Sequence, residues 1–133
     1  GMLATVINAL ALSDALDRQG VDNRVMTALA IDKIGEPYNV KTAKRYLSEG
    51  KVVVFGGGTG SPFFTTDTGA SLKACEIQAE VLLLAKNIDG IYDSDPKTNP
   101  NAKKFDSLTY DEYVEKGLRA RYVGGRHVQR KRT

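Results

Sequence analysis

Lys51-Val52-Val53-Val54-Phe55-Gly56-Gly57-Gly58-Thr59-Gly60-Ser61-Pro62-Phe63-Phe64-Thr65-Thr66-Asp67 is the stretch from which the fold can be read. Val52 to Phe55 is an unbroken β-branched and aromatic run, the pattern of a strand buried on both faces of a parallel sheet. The glycine-, serine- and threonine-rich segment from Gly56 to Thr66 is expected to be a loop, and Asp67 to Ala79 a helix. Glu80 to Ala85, with Val81, Leu82, Leu83 and Leu84, reads as a second buried strand. Strand, helix and strand in that order predict a right-handed parallel crossover.

Toward the N-terminus, Leu3, Val6, Ile7 and Leu10 have the i, i+3, i+4, i+7 spacing of one helix face. Asp14 and Arg18 sit four apart on later turns, and Gly20 supplies a C-terminal stop. Arg24 to Ile31 reads as a strand, and Thr42 to Leu47 as a helix closed by Gly50. Toward the C-terminus, Ile88 to Ala102 is rich in Gly, Asp, Pro and Asn and is expected to be mostly loop. Thr109 and Glu112 have the spacing of a capping box that opens a short helix. The expected class is α/β, a three-layer α/β/α sandwich around a mainly parallel sheet.

The 133 residues suffice for one domain, and 41% apolar with 26% charged residues is an ordinary globular composition. The net charge of +3 hides an asymmetry. Arg119, Arg121, Arg126, Arg130, Lys131 and Arg132 crowd the last fifteen residues, which hold no acid. Without these six, the 19 basic residues fall to 13 against 16 acids, so the body is acidic and the tail basic. The overall charge therefore gives no reason to expect a nucleic-acid-binding domain.

Cys75 is the single cysteine, so no internal disulfide can form, in keeping with a reducing cytosol. No stretch reaches the roughly 18 apolar residues of a spanning helix. Met2 to Leu12 runs into Asp14, Asp17 and Arg18 and reads as an amphipathic helix rather than a signal peptide. The expected location is cytoplasmic, with no membrane partner. The chain opens at once on helix-like sequence, which suggests a start further upstream.

The loop carries the chemistry. Ligands of open α/β sheets bind at the carboxyl ends of strands, where such loops lie. Glycines allow the backbone to approach an anion, and the following helix adds N–H groups and a positive dipole end. Thr59, Ser61, Thr65 and Thr66 add hydroxyls; Phe63 and Phe64 either pack a base or sugar or anchor the loop. No lysine follows the glycines as in a P-loop, and the residue three after Gly60 is Phe63, so the dinucleotide fingerprint is absent too. The bland alternative is a glycine-rich turn with a Thr-Asp helix cap, Asp67 acting as N-cap. For Tyr92 and Asp95 it is a hairpin turn closed by Asp95-Pro96. Cys75 is expected to be a small packed residue rather than a nucleophile. His127 has no catalytic partner set, and no His/Cys/carboxylate cluster has metal-site spacing. Lys86 and Asn87 follow a strand, where they are within reach of phosphates.

Gly57-Gly58-Thr59-Gly60-Ser61-Pro62-Phe63-Phe64-Thr65-Thr66-Asp67 closely resembles the UMP-binding loop of bacterial UMP kinases, in the amino-acid-kinase superfamily. Gly1-Met2-Leu3-Ala4-Thr5-Val6-Ile7-Asn8 is similar to the helix after that family's first UMP-contacting segment. Asp89-Gly90-Ile91-Tyr92-Asp93-Ser94-Asp95-Pro96 resembles its ATP-side loop, and Leu108-Thr109-Tyr110 the segment that follows. The motifs stand in order from Gly1 to about Gly117.

The resemblance implies transfer of the γ-phosphoryl of ATP to UMP, giving UDP, with Mg²⁺. It implies that Thr59, Gly60, Ser61, Pro62, Phe63, Phe64, Thr65 and Thr66 hold the uridine and its phosphate. Tyr92 and Asp95 would line the ATP site, with Tyr92 beside the adenine or ribose. Asp67 would act catalytically, orienting lysines or helping to place the metal. A homo-oligomer is implied, a hexamer in the family with dimer contacts through the early helix, and GTP and UTP as effectors.

The sequence also departs from the family. The first strand, its lysine- and glycine-containing loop, a second glycine-rich loop with an arginine, and an aspartate before the Met-Leu-Ala helix do not appear. After Gly117 the family's apolar helix and strand are replaced by basic sequence, as a frameshift or early stop would produce. The expectation is a partial kinase domain over residues 1–117 and a divergent, disordered basic tail over 118–133, with little or no kinase activity from this polypeptide alone. Two other readings remain. One is a relative that phosphorylates a carboxylate or carbamate, against which Pro62-Phe63-Phe64-Thr65-Thr66 argues. The other is a non-catalytic nucleotide-binding protein whose tail binds RNA or a phosphoprotein.

Overall fold

The computed structural model describes residues 1–85, 89–116 and 129–130. Lys86, Asn87, His127 and most of the basic run fall outside the described residues, and only Gln129 and Arg130 of the expected tail fall within them. The chain divides into two compact units, Gly1–Ala79 and Glu80–Thr133.

The first unit opens with helix α1, Met2–Arg18. The chain leaves it through Gly20 at φ +72°, where glycine avoids the Cβ clash of the left-handed region. Strands β1 (Asn23–Thr27), β2 (Glu36–Pro37) and β3 (Val52–Gly56) form one sheet in the order β2-β1-β3. Both pairings are parallel, and the β1–β3 register runs from Asn23 opposite Val52 to Thr27 opposite Gly56. Parallel strands need a crossover, and helix α2, Val40–Ser48, supplies it between β1 and β3. Asn39 caps α2 by accepting from the Thr42 N–H, and Gly50 at φ +78° follows its end.

Helices cover both sides of this sheet. Val6 and Ala9 of α1 lie 3.2 and 3.3 Å from where a Cβ on Gly56 would stand, so a side chain at the last residue of β3 would push α1 outward. On the other face Met26, Ala43 and Tyr46 form a buried cluster, with Val53, Phe55, Tyr38 and Ile77 packed against it. The sandwich is the expected α/β architecture with a parallel sheet.

Three expectations for this unit are corrected. The buried stripe of α1 is Val6 and Ala9, while Leu3 and Ile7 are 64% and 67% exposed. Helical spacing names several candidate faces, and the small residue Ala9 fits the close approach to β3. The β1 strand ends at Thr27, whose carbonyl still accepts from Tyr38 beside β2 while its hydroxyl donates to the Leu29 carbonyl in the bend that follows. In β3 only Val54 and Gly56 are buried; Val52 stays 40% exposed. It stands at the start of the strand, beyond the helices' cover.

Helix α3, Thr66–Glu76, ends the unit. Lys73 is buried at 8% exposure, which an unpaired ammonium would not tolerate. It lies 3.8 Å from the Tyr38 ring centroid and 3.9 Å from the Glu76 carboxylate, a cation–π contact and an ion pair together.

In the second unit β4 (Val81–Leu82) pairs antiparallel with β7 (Gln129–Arg130). The buried strand expected at Glu80 to Ala85, and the crossover through it, are not found. The observed parallel crossover lies one step earlier, through α2. An apolar run states what burial would favour, but pairing decides it, and here Val81 and Leu83 remain 43% and 62% exposed. Strands β5 (Ile91–Tyr92) and β6 (Lys104–Phe105) make an antiparallel hairpin, β5 inside the stretch Ile88 to Ala102 expected to be mostly loop and β6 just beyond it. Two-residue strands carry too little periodicity to be seen in sequence. Helix α4, Tyr110–Glu115, opens on the expected capping box: Thr109 Oγ1 accepts from the Glu112 N–H at 3.2 Å, and Glu112 accepts from the Thr109 N–H at 2.8 Å. Among the described residues no helix is long and apolar enough to cross a membrane.

Candidate functional site

The glycine-rich loop leaves β3 at its carboxyl end and enters α3, as the sequence required. Gly57, Gly58 and Gly60 all have positive φ, at +85°, +60° and +76°. A side chain on Gly60 would meet the Ala28 carbonyl at 3.1 Å, and one on Gly57 the Ala28 N at 3.3 Å. Both conformation and space thus demand glycine there.

Internal hydrogen bonds give the loop its shape. The Gly60 N–H donates to the Gly57 carbonyl at 3.1 Å, and the Ser61 N–H to Thr59 Oγ1 at 3.2 Å. The Gly57 N–H donates to Thr5 Oγ1 of α1 at 2.8 Å. On the far side, buried Gly69 of α3 brings its Cα to the backbone of the loop: a Cβ would lie 3.2 Å from the Gly58 carbonyl carbon. Three elements therefore clamp the loop's base. Its outer part is open: Ser61 through Thr66 are exposed, and Thr59 and Gly60 half-buried.

The helix cap is not where sequence placed it. Thr65, not Asp67, is the N-cap of α3, its hydroxyl accepting from the Thr68 N–H at 3.1 Å and paired with Thr68 Oγ1 at 2.9 Å. Thr65 has the extended backbone a cap needs, whereas Asp67 already lies in the first helical turn. There its charge complements the positive end of the helix dipole. The hydroxyls of Thr65, Thr66 and Thr68 gather at that same end.

Phe63 and Phe64 do not anchor the loop, since they are 102% and 63% exposed. Phe63 also holds φ +74°, a conformation that costs a bulky L-residue on the order of 1–2 kcal/mol. Both rings are thus presented outward, available to a flat partner.

Tyr92 and Asp95 belong to the second unit, at the β5–β6 hairpin. The Tyr92 hydroxyl donates to Asp89 Oδ1 at 2.7 Å, and Lys104 Nζ lies 2.9 Å from the other Asp89 oxygen. That hydrogen bond from Tyr92, and then the one from Lys104, hold the Asp89 carboxyl below its ordinary range. The same bond raises the Tyr92 phenol. Asp95 shapes its own turn: its carboxylate accepts from the Lys97 N–H at 2.9 Å, and its carbonyl from Thr98 and Asn99. The turn between the hairpin strands expected for this pair is therefore present. Cys75 is exposed rather than packed, because it lies on the outer side of α3. Among the described residues no group of three or more His, Cys, Asp or Glu side chains could hold a metal.

Sequence reading missed three residues that shape the loop. Thr5 and Ala28 gave no signal, being ordinary residues far from it in sequence. Gly69 did give one, since a glycine inside a helix costs about 1 kcal/mol and usually marks a close approach.

A strand-to-helix loop with these features, on a parallel sheet with helices on both faces, defines an α/β domain whose loop lies at the carboxyl end of its strand. A family model for the Amino acid kinase family matches residues 1–127, and the chain belongs to that family. It is 53% identical over 120 residues to a uridylate kinase of Cutibacterium acnes (strain DSM 16379 / KPA171202), a match covering 90% of this chain and 51% of that protein. The fold matches the crystal structure of UMP kinase from Ureaplasma parvum with a TM-score of 0.80 at 39% identity, over 89% of this chain and 51% of the other. It matches that of UMP kinase from Bacillus anthracis with a TM-score of 0.82 at 38% identity, over 90% and 50%. The chain spans about half the length of these relatives.

Proposed function

We propose that this chain is the nucleotide-binding core of a kinase that moves the γ-phosphoryl group of ATP onto UMP, giving UDP and ADP. The observation that carries the reading is the loop from Gly57 to Thr66, shaped by its own hydrogen bonds and opening onto a hydroxyl-lined helix start. A site formed before the ligand arrives spares the entropy of ordering it. In this reading Thr59 to Thr66 hold UMP. The hydroxyls and the α3 dipole receive the phosphate, and Phe63 and Phe64 offer ring faces to the base or ribose. Asp67 stands next to the phosphate position, and Tyr92 and Asp95 act on the ATP side.

Phosphoryl transfer depends on positioning and charge neutralisation. Mg²⁺, where bound, neutralises charge on the phosphates; it is held mainly by nucleotide oxygens with one or two carboxylates, and Asp67 fits that mode. The protein would act in the cytoplasm as a homo-oligomer, with GTP and UTP as effectors. The exposure of Leu3 and Ile7 on α1 supports assembly through that helix. The similarity to uridylate kinases and the Pro62-Phe63-Phe64-Thr65-Thr66 run favour this reading over a carboxylate or carbamate kinase.

Calorimetric titration of the chain with UMP, CMP, aspartate and glutamate tests it. UMP is expected to bind and the amino acids not. Thr66→Val should weaken UMP about tenfold, the loss of a hydrogen bond to a charged group, with the thermal midpoint unchanged because Thr66 is exposed. Equal UMP affinity in Thr66→Val, or preferential binding of an amino acid, would overturn the assignment.

A further inference from the structure

We propose that Thr5 of α1 is a positioning residue that sets the shape of the nucleotide loop, and with it the affinity of that loop for a phosphate-bearing ligand. The affinity consequence rests on the UMP reading above; the positioning does not.

Gly57 is the first residue after β3, and its φ of +85° turns the chain away from the strand direction. Its N–H points back to α1, where Thr5 Oγ1 accepts it at 2.8 Å. The same hydroxyl donates to the Met2 carbonyl at 2.6 Å. Its proton and a lone pair are both engaged, so the hydroxyl has one orientation and cannot rotate away without breaking a bond. Fifty-two residues of sequence separate the partners, so the tie is tertiary and stands or falls with the packing of α1 on β3.

The neighbouring packing explains why one hydroxyl has this leverage. Gly56 abuts Val6 and Ala9, one turn or less from Thr5, which fixes the end of β3 against α1. From the opposite side Ala28 presses against Gly57 and Gly60. Gly57 is held between the two, and its carbonyl accepts from Gly60 to close the turn that sets out Thr59 and Ser61. Ala28 limits where the turn can move, and Thr5 selects its orientation. Without the hydroxyl, the N–H of buried Gly57 has no acceptor there, and a peptide flip becomes the way to satisfy it. Such a flip would displace Thr59 and Ser61 and spoil the ligand side of the loop without touching the ligand.

The test compares Thr5→Val, which keeps shape and removes the hydroxyl, with Thr5→Ser, which keeps the hydroxyl. Hydrogen exchange at the Gly57 amide, read by NMR on the whole chain, reports positioning with no ligand present. Exchange is expected to quicken about tenfold in Thr5→Val and to return toward the parent rate in Thr5→Ser. UMP titration of the same proteins is expected to show about fivefold weaker binding in Thr5→Val, restored in Thr5→Ser. If Thr5→Val does not fold, Thr5→Ala takes its place. Unchanged Gly57 exchange in the hydroxyl-free variant overturns the proposal, whatever UMP does. Changed exchange with full UMP affinity overturns its functional half. If the parent chain itself fails to bind UMP, the proposed function is lost, and the exchange comparison still decides the role of Thr5.

Discussion

Thr65 and Asp67 show how two polar residues at one helix start divide a task. Thr65 keeps an extended backbone and gives its hydroxyl to the Thr68 N–H, while Asp67 sits in the first helical turn and meets the helix dipole. Replacing Thr65 with Ala should therefore cost about 1 kcal/mol, read as a shift in the urea midpoint, and Thr65→Ser should restore most of it. Asp67→Asn should cost less, because it removes a dipole interaction and leaves the cap in place. The same urea series would show the reverse order if Asp67 were the cap. The sequence reading placed the cap on Asp67 within a Thr-Asp pair, since both residue types can cap. Only the backbone angles tell them apart.

At the scale of the element, the β5–β6 hairpin is tied together by charged side chains. Asp89 joins Tyr92 and Lys104 across it, and Asp93 accepts from the Lys103 N–H at 2.9 Å. The bond from Tyr92 and then that from Lys104 lower the Asp89 carboxyl, and the Lys103 N–H is the main cause that lowers Asp93. A depressed carboxyl stabilises the fold above its unfolded value, about 3.9 for Asp, and loses that contribution as pH falls through the folded value. Tyr92 and Lys104 are both raised, chiefly by their bonds to Asp89, so their contributions are complete below about pH 10 and fade as pH rises further. The hairpin amides should thus hold their shifts across neutral pH and begin to loosen below about pH 4. An NMR titration checks this, and Asp89→Asn should flatten the acid limb at Tyr92. The hairpin's turn at Asp95-Pro96 was legible in the sequence, whereas its two-residue strands were too short to show a period. The capping box at Thr109 was legible, because a cap is local and its two partners are three residues apart.

At the scale of the molecule, the first unit is organised around Met26. It is fully buried, and with Ala43 and Tyr46 it joins the sheet to α2. Met26→Ala should cost about 3 kcal/mol, a loss of transfer energy plus a cavity, seen as a lower denaturant midpoint with an unchanged slope. The equivalent change at Leu3, exposed on α1, should move the midpoint by less than about 0.5 kcal/mol. The contrast is instructive because both residues lie in apolar stretches of sequence. Hydrophobicity alone ranks them together, and the packing of neighbours separates them.

By itself the sequence determined the α/β class, the β3 strand, the loop with its glycine and hydroxyl pattern, and the helices on either side. These features rest on local chemistry: backbone angles only glycine tolerates, β-branched runs, and caps within a turn. Tertiary structure alone decided which face of α1 is buried, that β4 takes an antiparallel partner instead of extending the parallel sheet, and that Thr5, Ala28 and Gly69 close around the loop. Those outcomes depend on contacts between residues tens of positions apart. Such contacts are selected by shape and hydrogen-bond geometry as the chain folds, and no short window of sequence contains both partners.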